Sequence, residues 1–197
     1  MFRPLAIACL ALFLALPAAP RAAEAEREAA LEVARTLVES AHGAMTAAEL
    51  SEAERNDRLR AAIAEAFAFD IWERFLLQGR EDRLTQAERE TFESLLPGFM
   101  ADLYADRFGQ GLEAKPVIEG AEPARRDMLV SGLIPRDEER NLPVQWRIRA
   151  FDERGHRVID VMVGGVSFLV LKREEFGAIL EKGGAEALLA HMRENSV

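Results

Sequence analysis

Apolar residues recur every three to four positions along EAEREAALEVARTLVESA, from Glu24 to about Ala41. Leu31, Ala34, Leu37, Val38 and Ala41 therefore share one face, and the spacing predicts a helix closed by His42-Gly43. A second helical stretch runs from about Ala47 to Phe67, anchored by Leu50, Leu59, Ile63 and Phe67. Thr46 and Glu49 stand in capping-box spacing at its start. FAFDIWERFLLQG predicts a third helix, entered near Asp70 and stopped at Gly79. A fourth begins at a Thr85/Glu88 capping box, buries Phe92, Leu95, Leu96, Phe99 and Leu103, and should bend at Pro97.

After Gly109-Gln110-Gly111 the period drops to two. LEAKPVIEG, ARRDMLVSGLI, LPVQWRIRAF and HRVIDVMV read as four strands, with turns at GAEP, PRDEERN and DERG. Such short connections make antiparallel neighbours. In the third strand Val144, Trp146, Ile148 and Ala150 alternate with Gln145, Arg147 and Arg149, so one face of the sheet is covered and the other wet. Two helices follow, about Phe168 to Glu181 and Ala185 to Arg193, parted by Gly183-Gly184. The order predicts an α+β domain, with helices packed on one face of a roughly four-stranded antiparallel sheet.

The first residues change the picture of where this domain resides. Met1-Phe2-Arg3-Pro4 carries one positive charge, LAIACLALFLAL (Leu5 to Leu16) is apolar, and PAAPRAA follows, the three-part layout of a secretory signal peptide. Residues 1–23 are read as that leader, with cleavage between 18 and 23, and residues 24–197 as one domain. An apolar run of twelve is too short for the roughly 20 residues that span a bilayer. Cys9, the single cysteine, lies inside that run with too little sequence before it for lipid attachment. The mature chain then has no thiol, so disulfides and thiol chemistry are excluded and the core must supply the stability. Losing Arg3 and Arg21 leaves 23 basic against 34 acidic residues, a net charge of −11. Such a surface repels nucleic acid and anionic headgroups.

Candidate chemistry is sparse. His42, His156 and His191 have no ligand spacing, so no metal site is expected. GGVS lacks the second glycine of G-x-S-x-G, and Ser167 reads as the N-cap of the helix starting at Phe168, with Gly164-Gly165 supplying the turn. Asp160, flanked by Ile159 and Val161 in a strand, calls for a cross-strand partner such as Arg147 or Arg149. No catalytic residue is expected. What remains is an apolar interior, solid or hollow.

RVIDVMVGGVSFLVLKREEFGAILEKGGAEALLA resembles the C-terminal signature of the MlaC, or toluene-tolerance auxiliary, family: a strand with an aspartate, a glycine, Val-Ser, an apolar turn, basic residues, Glu-Phe and a Gly-bearing link to a last helix. FDIW, LTQAERETFESLLPGFMADLY and ARRDMLVSGLI…LPVQWRIRAF resemble its middle region in the same order, so the likeness covers about Phe67 to Leu189. It departs in Gly164-Gly165 where many members have Glu-Gly, in the absence of an aromatic beside Gly79, and in Lys172-Arg173.

The resemblance implies a non-enzymatic periplasmic carrier, taken as a monomer, with phospholipid as cargo and no cofactor. It would shuttle lipid between an outer-membrane lipoprotein complex and an inner-membrane ABC transporter complex. It also implies an apolar pocket. Val130, Trp146, Ile148, Val161 and Val163 of the sheet, with Phe99, Leu103, Phe168, Phe176 and Leu180 of the helices, would line it. Arg125, Arg126, Lys172 and Arg173 are the candidates for the headgroup or for docking. Hopanoid cargo on the same fold, and an exported adaptor with a filled core, are the rival readings.

Overall fold

A computed structural model describes residues 19–109, 115–135 and 141–196. The apolar run of the expected leader, Gln110-Gly111 of the glycine break with the first residues of the first expected strand, and most of the PRDEERN turn lie outside them. Five helices frame one sheet: α1 (Ala19–Thr46), α2 (Glu52–Ala66), α3 (Phe69–Leu76), α4 (Gln86–Gly109) and α5 (Phe168–Glu194). The strands are β1 (Val117–Ala124), β2 (Asp127–Ile134), β3 (Leu142–Phe151), β4 (Gly155–Val163) and β5 (Val166–Ser167), antiparallel throughout and adjacent in chain order.

The helices follow their caps and stripes. α1 runs through His42-Gly43, where the pattern predicted its end, because Ala44 continues the buried stripe (3% exposed). Burial of that kind offsets the roughly 1 kcal/mol that a mid-helix glycine costs. α2 starts at Ser51, whose hydroxyl accepts from Glu54 N–H while the Glu54 carboxylate accepts from Ser51 N–H, a complete capping box. Thr46, expected to cap, instead donates to the His42 carbonyl at 2.8 Å within α1. The Thr85/Glu88 box does open α4, and Pro97 lies within that helix. α5 kinks at Gly184, whose φ of 70° breaks the helix where Gly183-Gly184 predicted a gap.

The sheet has five strands rather than four. Gly164 and Gly165 take φ of 59° and 82°, the pair of positive values a tight type I′ hairpin requires, and this folds Val166-Ser167 back onto β4. β1 runs straight through GAEP, and the chain turns instead at Arg125-Arg126, with Arg125 at φ 61°. In β3 the alternation is as expected: Val144, Trp146 and Ile148 are buried, and Gln145, Arg147 and Arg149 lie on the other face. Trp146 is accommodated by Gly132 beside it on β2, where a Cβ would stand 3.2 Å from the indole and 2.6 Å from the Val117 carbonyl oxygen.

α1 covers the apolar face of the sheet, α2 packs on α1, α4 on α2, and α5 on α4 and β4. Phe92 and Phe99 of α4 meet Phe176 of α5 at 5.9 and 5.3 Å between ring centroids. Phe67 pairs with Val158 on the outer edge of β4, and Ala68 N–H donates to the Val158 carbonyl at 3.0 Å. That bridge fixes the start of α3 against the sheet.

Candidate ligand cleft

The wet face of the sheet is where a site forms. β4 pairs Arg147 with Asp160 but Ile148 with Val158, leaving Ile159 as an extra residue. A bulge of this kind re-aims side chains. Ile159, Asp160 and Met162 thereby line a cleft of about 660 Å3 between the sheet, the start of α5 and α3. The volume falls within the roughly 300–1,000 Å3 typical of ligand sites. α5 adds Leu169 and Val170, and α3 adds Ile71 and Phe75, one turn apart, so one wall is apolar. The opposite side is polar, with Arg147, Arg149 and Asp127, and Arg126 from the β1–β2 turn.

The charges on β2, β3 and β4 are held, and Arg126 of the turn makes no ion pair among the described residues. Arg149 grips buried Asp127 with both arms, Nε to Oδ1 at 2.6 Å and Nη2 to Oδ2 at 3.1 Å. Such a fork is the strong form of ion pair. Arg147 Nη1 reaches the same carboxylate at 3.4 Å. Asp160 accepts from Ser167 Oγ at 2.7 Å and from Leu169 N–H at 3.2 Å, while Ser167 Oγ accepts from Val170 N–H at 3.1 Å. Ser167 is thus the expected N-cap, and Asp160 extends the cap from β4. The hydrogen bonds of Asp160 go to the start of α5 rather than to Arg147, which stands opposite and acts through its field. Burial raises the Asp160 pKa, and the bonds from Ser167 and Leu169 oppose that rise.

The apolar residues expected to line a pocket join one continuous hydrophobic cluster. Val130, Trp146, Ile148 and Val161, at 2% exposure or less, lie on the sheet face beneath α1. Phe99, Phe168, Phe176 and Leu180 are buried on the helices, and Leu103 and Val163 are partly buried. None of these ten lines the cleft, although Ile148 borders a smaller cavity of about 320 Å3 with Arg125 and Arg126. Of the four expected cations, Arg126 faces the cleft. Arg125 shares its turn, Lys172 Nζ binds Glu175 at 2.7 Å, and the Arg173 guanidinium stacks over Phe75 at 4.9 Å. Ile71, Arg74, Phe75 and Met162 were not expected at a site. An i, i+4 apolar pair on α3 was their only trace in the sequence.

His156 lies 2.9 Å from Glu26 and His191 2.9 Å from Glu175. Among the described residues no group of three or more His, Cys, Asp or Glu could hold a metal ion, and no helix is long and apolar enough to cross a membrane.

An α+β domain with an apolar wall facing a floor of guanidinium groups is a binding domain suited to an amphipathic ligand. The family described as MlaC protein matches residues 32–194, and the chain belongs to that family. No curated protein matches it. Among solved structures it is similar to a phospholipid-binding protein from Ralstonia solanacearum in complex with a phospholipid, at 14% identity and a TM-score of 0.66. The likeness covers 84% of this chain and 96% of the other.

Proposed function

We propose that this protein is a periplasmic, non-enzymatic carrier of glycerophospholipid. It takes lipid from an outer-membrane lipoprotein complex, or returns it there, and exchanges it with an inner-membrane ABC transporter complex, acting as a monomer with lipid as cargo and no cofactor. The observation that carries the reading is the cleft: Phe75, Met162, Leu169 and Val170 offer acyl contact across from Arg126, Arg147 and Arg149. Family membership and the lipid-bound neighbour support it. Two chains of some 16 carbons exposed to water cost on the order of 25 kcal/mol at about 0.8 kcal/mol per CH₂, so free lipid does not cross an aqueous gap unaided.

The acyl chains lie against the apolar wall, and the phosphate faces the floor. Fully packed residues such as Trp146, Val161 and Phe176 meet lipid only where helix and sheet part. The test is to purify the exported protein without detergent, extract it with organic solvent and identify the extract by mass spectrometry. Stoichiometric diacyl phospholipid supports the carrier. Hopanoid would change the cargo, and an empty protein that stays empty after incubation with vesicles would put the adaptor ahead.

A further inference from the structure

We infer that the cleft selects glycerophospholipids with a net negative headgroup over zwitterionic ones, through Arg126 and Arg147. The inference rests on the carrier reading. The chain as a whole is acidic, at −9, yet the cleft is lined by four guanidinium groups against two carboxylates. Two of the four are engaged. Arg149 is committed to Asp127 by both arms, and Arg74 binds Asp70, which also holds Arg154. Arg147 makes only the 3.4 Å contact to a carboxylate already forked by Arg149. Arg126 makes no ion pair among the described residues.

Every glycerophospholipid offers a phosphodiester to those two groups, and a guanidinium matches phosphate with paired N–H donors. Discrimination comes from what lies beyond the phosphate. An ethanolamine ammonium would find both carboxylates of the cleft already engaged: Asp127 is buried under Arg149, and each Asp160 oxygen already accepts a hydrogen bond, from Ser167 or from Leu169. The ammonium would meet uncompensated positive charge. A glycerol headgroup brings hydroxyls instead and leaves the lipid net negative. A basic residue near an anionic headgroup is worth roughly fivefold in affinity.

The test incubates lipid-free protein with vesicles of equal phosphatidylglycerol and phosphatidylethanolamine with identical acyl chains. The protein is re-isolated and its headgroups counted. Phosphatidylglycerol should exceed phosphatidylethanolamine by about fivefold or more, shrinking with added salt. Arg126→Gln, at an exposed turn position, should cut the ratio by about fivefold, and Arg147→Gln should act likewise. Equal loading of the two lipids by the unaltered protein overturns the inference and leaves the carrier standing. Failure to load either lipid, from mixed or single-lipid vesicles, sinks the carrier reading as well. A third arm titrates inorganic phosphate: if Arg126→Gln weakens phosphate binding while the lipid ratio stays put, the pair serves a free anion and the headgroup inference fails.

Discussion

Placing a carboxylate at either of two valines distinguishes the cleft from the core. Val161 sits on the apolar sheet face at 2% exposure, whereas Val170 stands at the cleft mouth at 51%. A fully buried glutamate avoids its charge by raising its pKa from about 4.3 to about 8–9, which costs roughly 4 kcal/mol at neutral pH before the lost valine packing is counted. Against a total stability of about 5–15 kcal/mol, Val161→Glu should leave little folded protein. Val170→Glu is solvated in the lipid-free protein and should change stability by no more than about 0.5 kcal/mol. In the loaded protein the same side chain loses about 1 kcal/mol of apolar contact, and desolvating the carboxylate adds about 1–3 kcal/mol. Lipid affinity should fall by on the order of thirtyfold or more. Thermal unfolding by circular dichroism reports the first quantity, and lipid per protein after solvent extraction reports the second. A Val170→Glu protein that melts normally and carries its full lipid would refute the cleft as the lipid site. A Val161→Glu protein that melts normally would show that the sheet face under α1 is not the packed wall described.

Two glycines make opposite predictions from the same geometry. Gly132→Ala drives a Cβ to 2.6 Å from the Val117 backbone oxygen and 3.2 Å from Trp146, so it should cost about 1–3 kcal/mol and lower the melting temperature by several degrees. Gly177→Ala meets only the mobile end of Arg80, at 2.5 Å, which can swing aside from its exposed partner Glu181. The helical gain of about 1 kcal/mol then covers a surface pair of similar or smaller worth, and the melting temperature should hold or rise. Asp160 predicts a pH dependence. Its folded pKa is raised by burial, so the folded state binds the proton more tightly than the unfolded state. Stability from this group is therefore greatest below the unfolded value of about 3.9 and declines as pH rises through the folded pKa. Asp160→Asn should remove that part of the acid-side slope in urea titrations at successive pH values, and an identical slope in both proteins would contradict the assignment.

The parts of the fold that the sequence made legible are those written in a repeating period. Trp146 alternates with Arg147 over ten residues of β3, and the Thr85/Glu88 box announces α4, so both were readable. β5 is two residues long, too short to hold any period, and the strand count came out one low. GAEP looks like a turn by composition, but β1 carries its proline on an edge strand, where a missing N–H breaks no inner ladder bond. The true turn uses two arginines, residues with no turn signature. The cleft was missed for a related reason. Its floor is the face that the alternation marks as solvent, and its wall depends on a bulge at Ile159 and on where α3 docks, neither of which leaves a periodic mark.

On the carrier reading, this division of the sheet into two unlike faces has a physical purpose. A site that buried both acyl chains as deeply as the α1 face buries Trp146 would hold lipid too tightly to release it: each additional CH₂ removed from water, at about 0.8 kcal/mol, shifts partition about fourfold. The cleft instead sets a partly exposed apolar wall, including Val170 at 51%, over ion pairs that are already complete without ligand. Asp127 and Arg149 need no lipid to satisfy them, so unloading leaves that buried pair intact, and Arg126, exposed at its turn, returns to water. On the proposed reading the empty state is then little penalty to the protein.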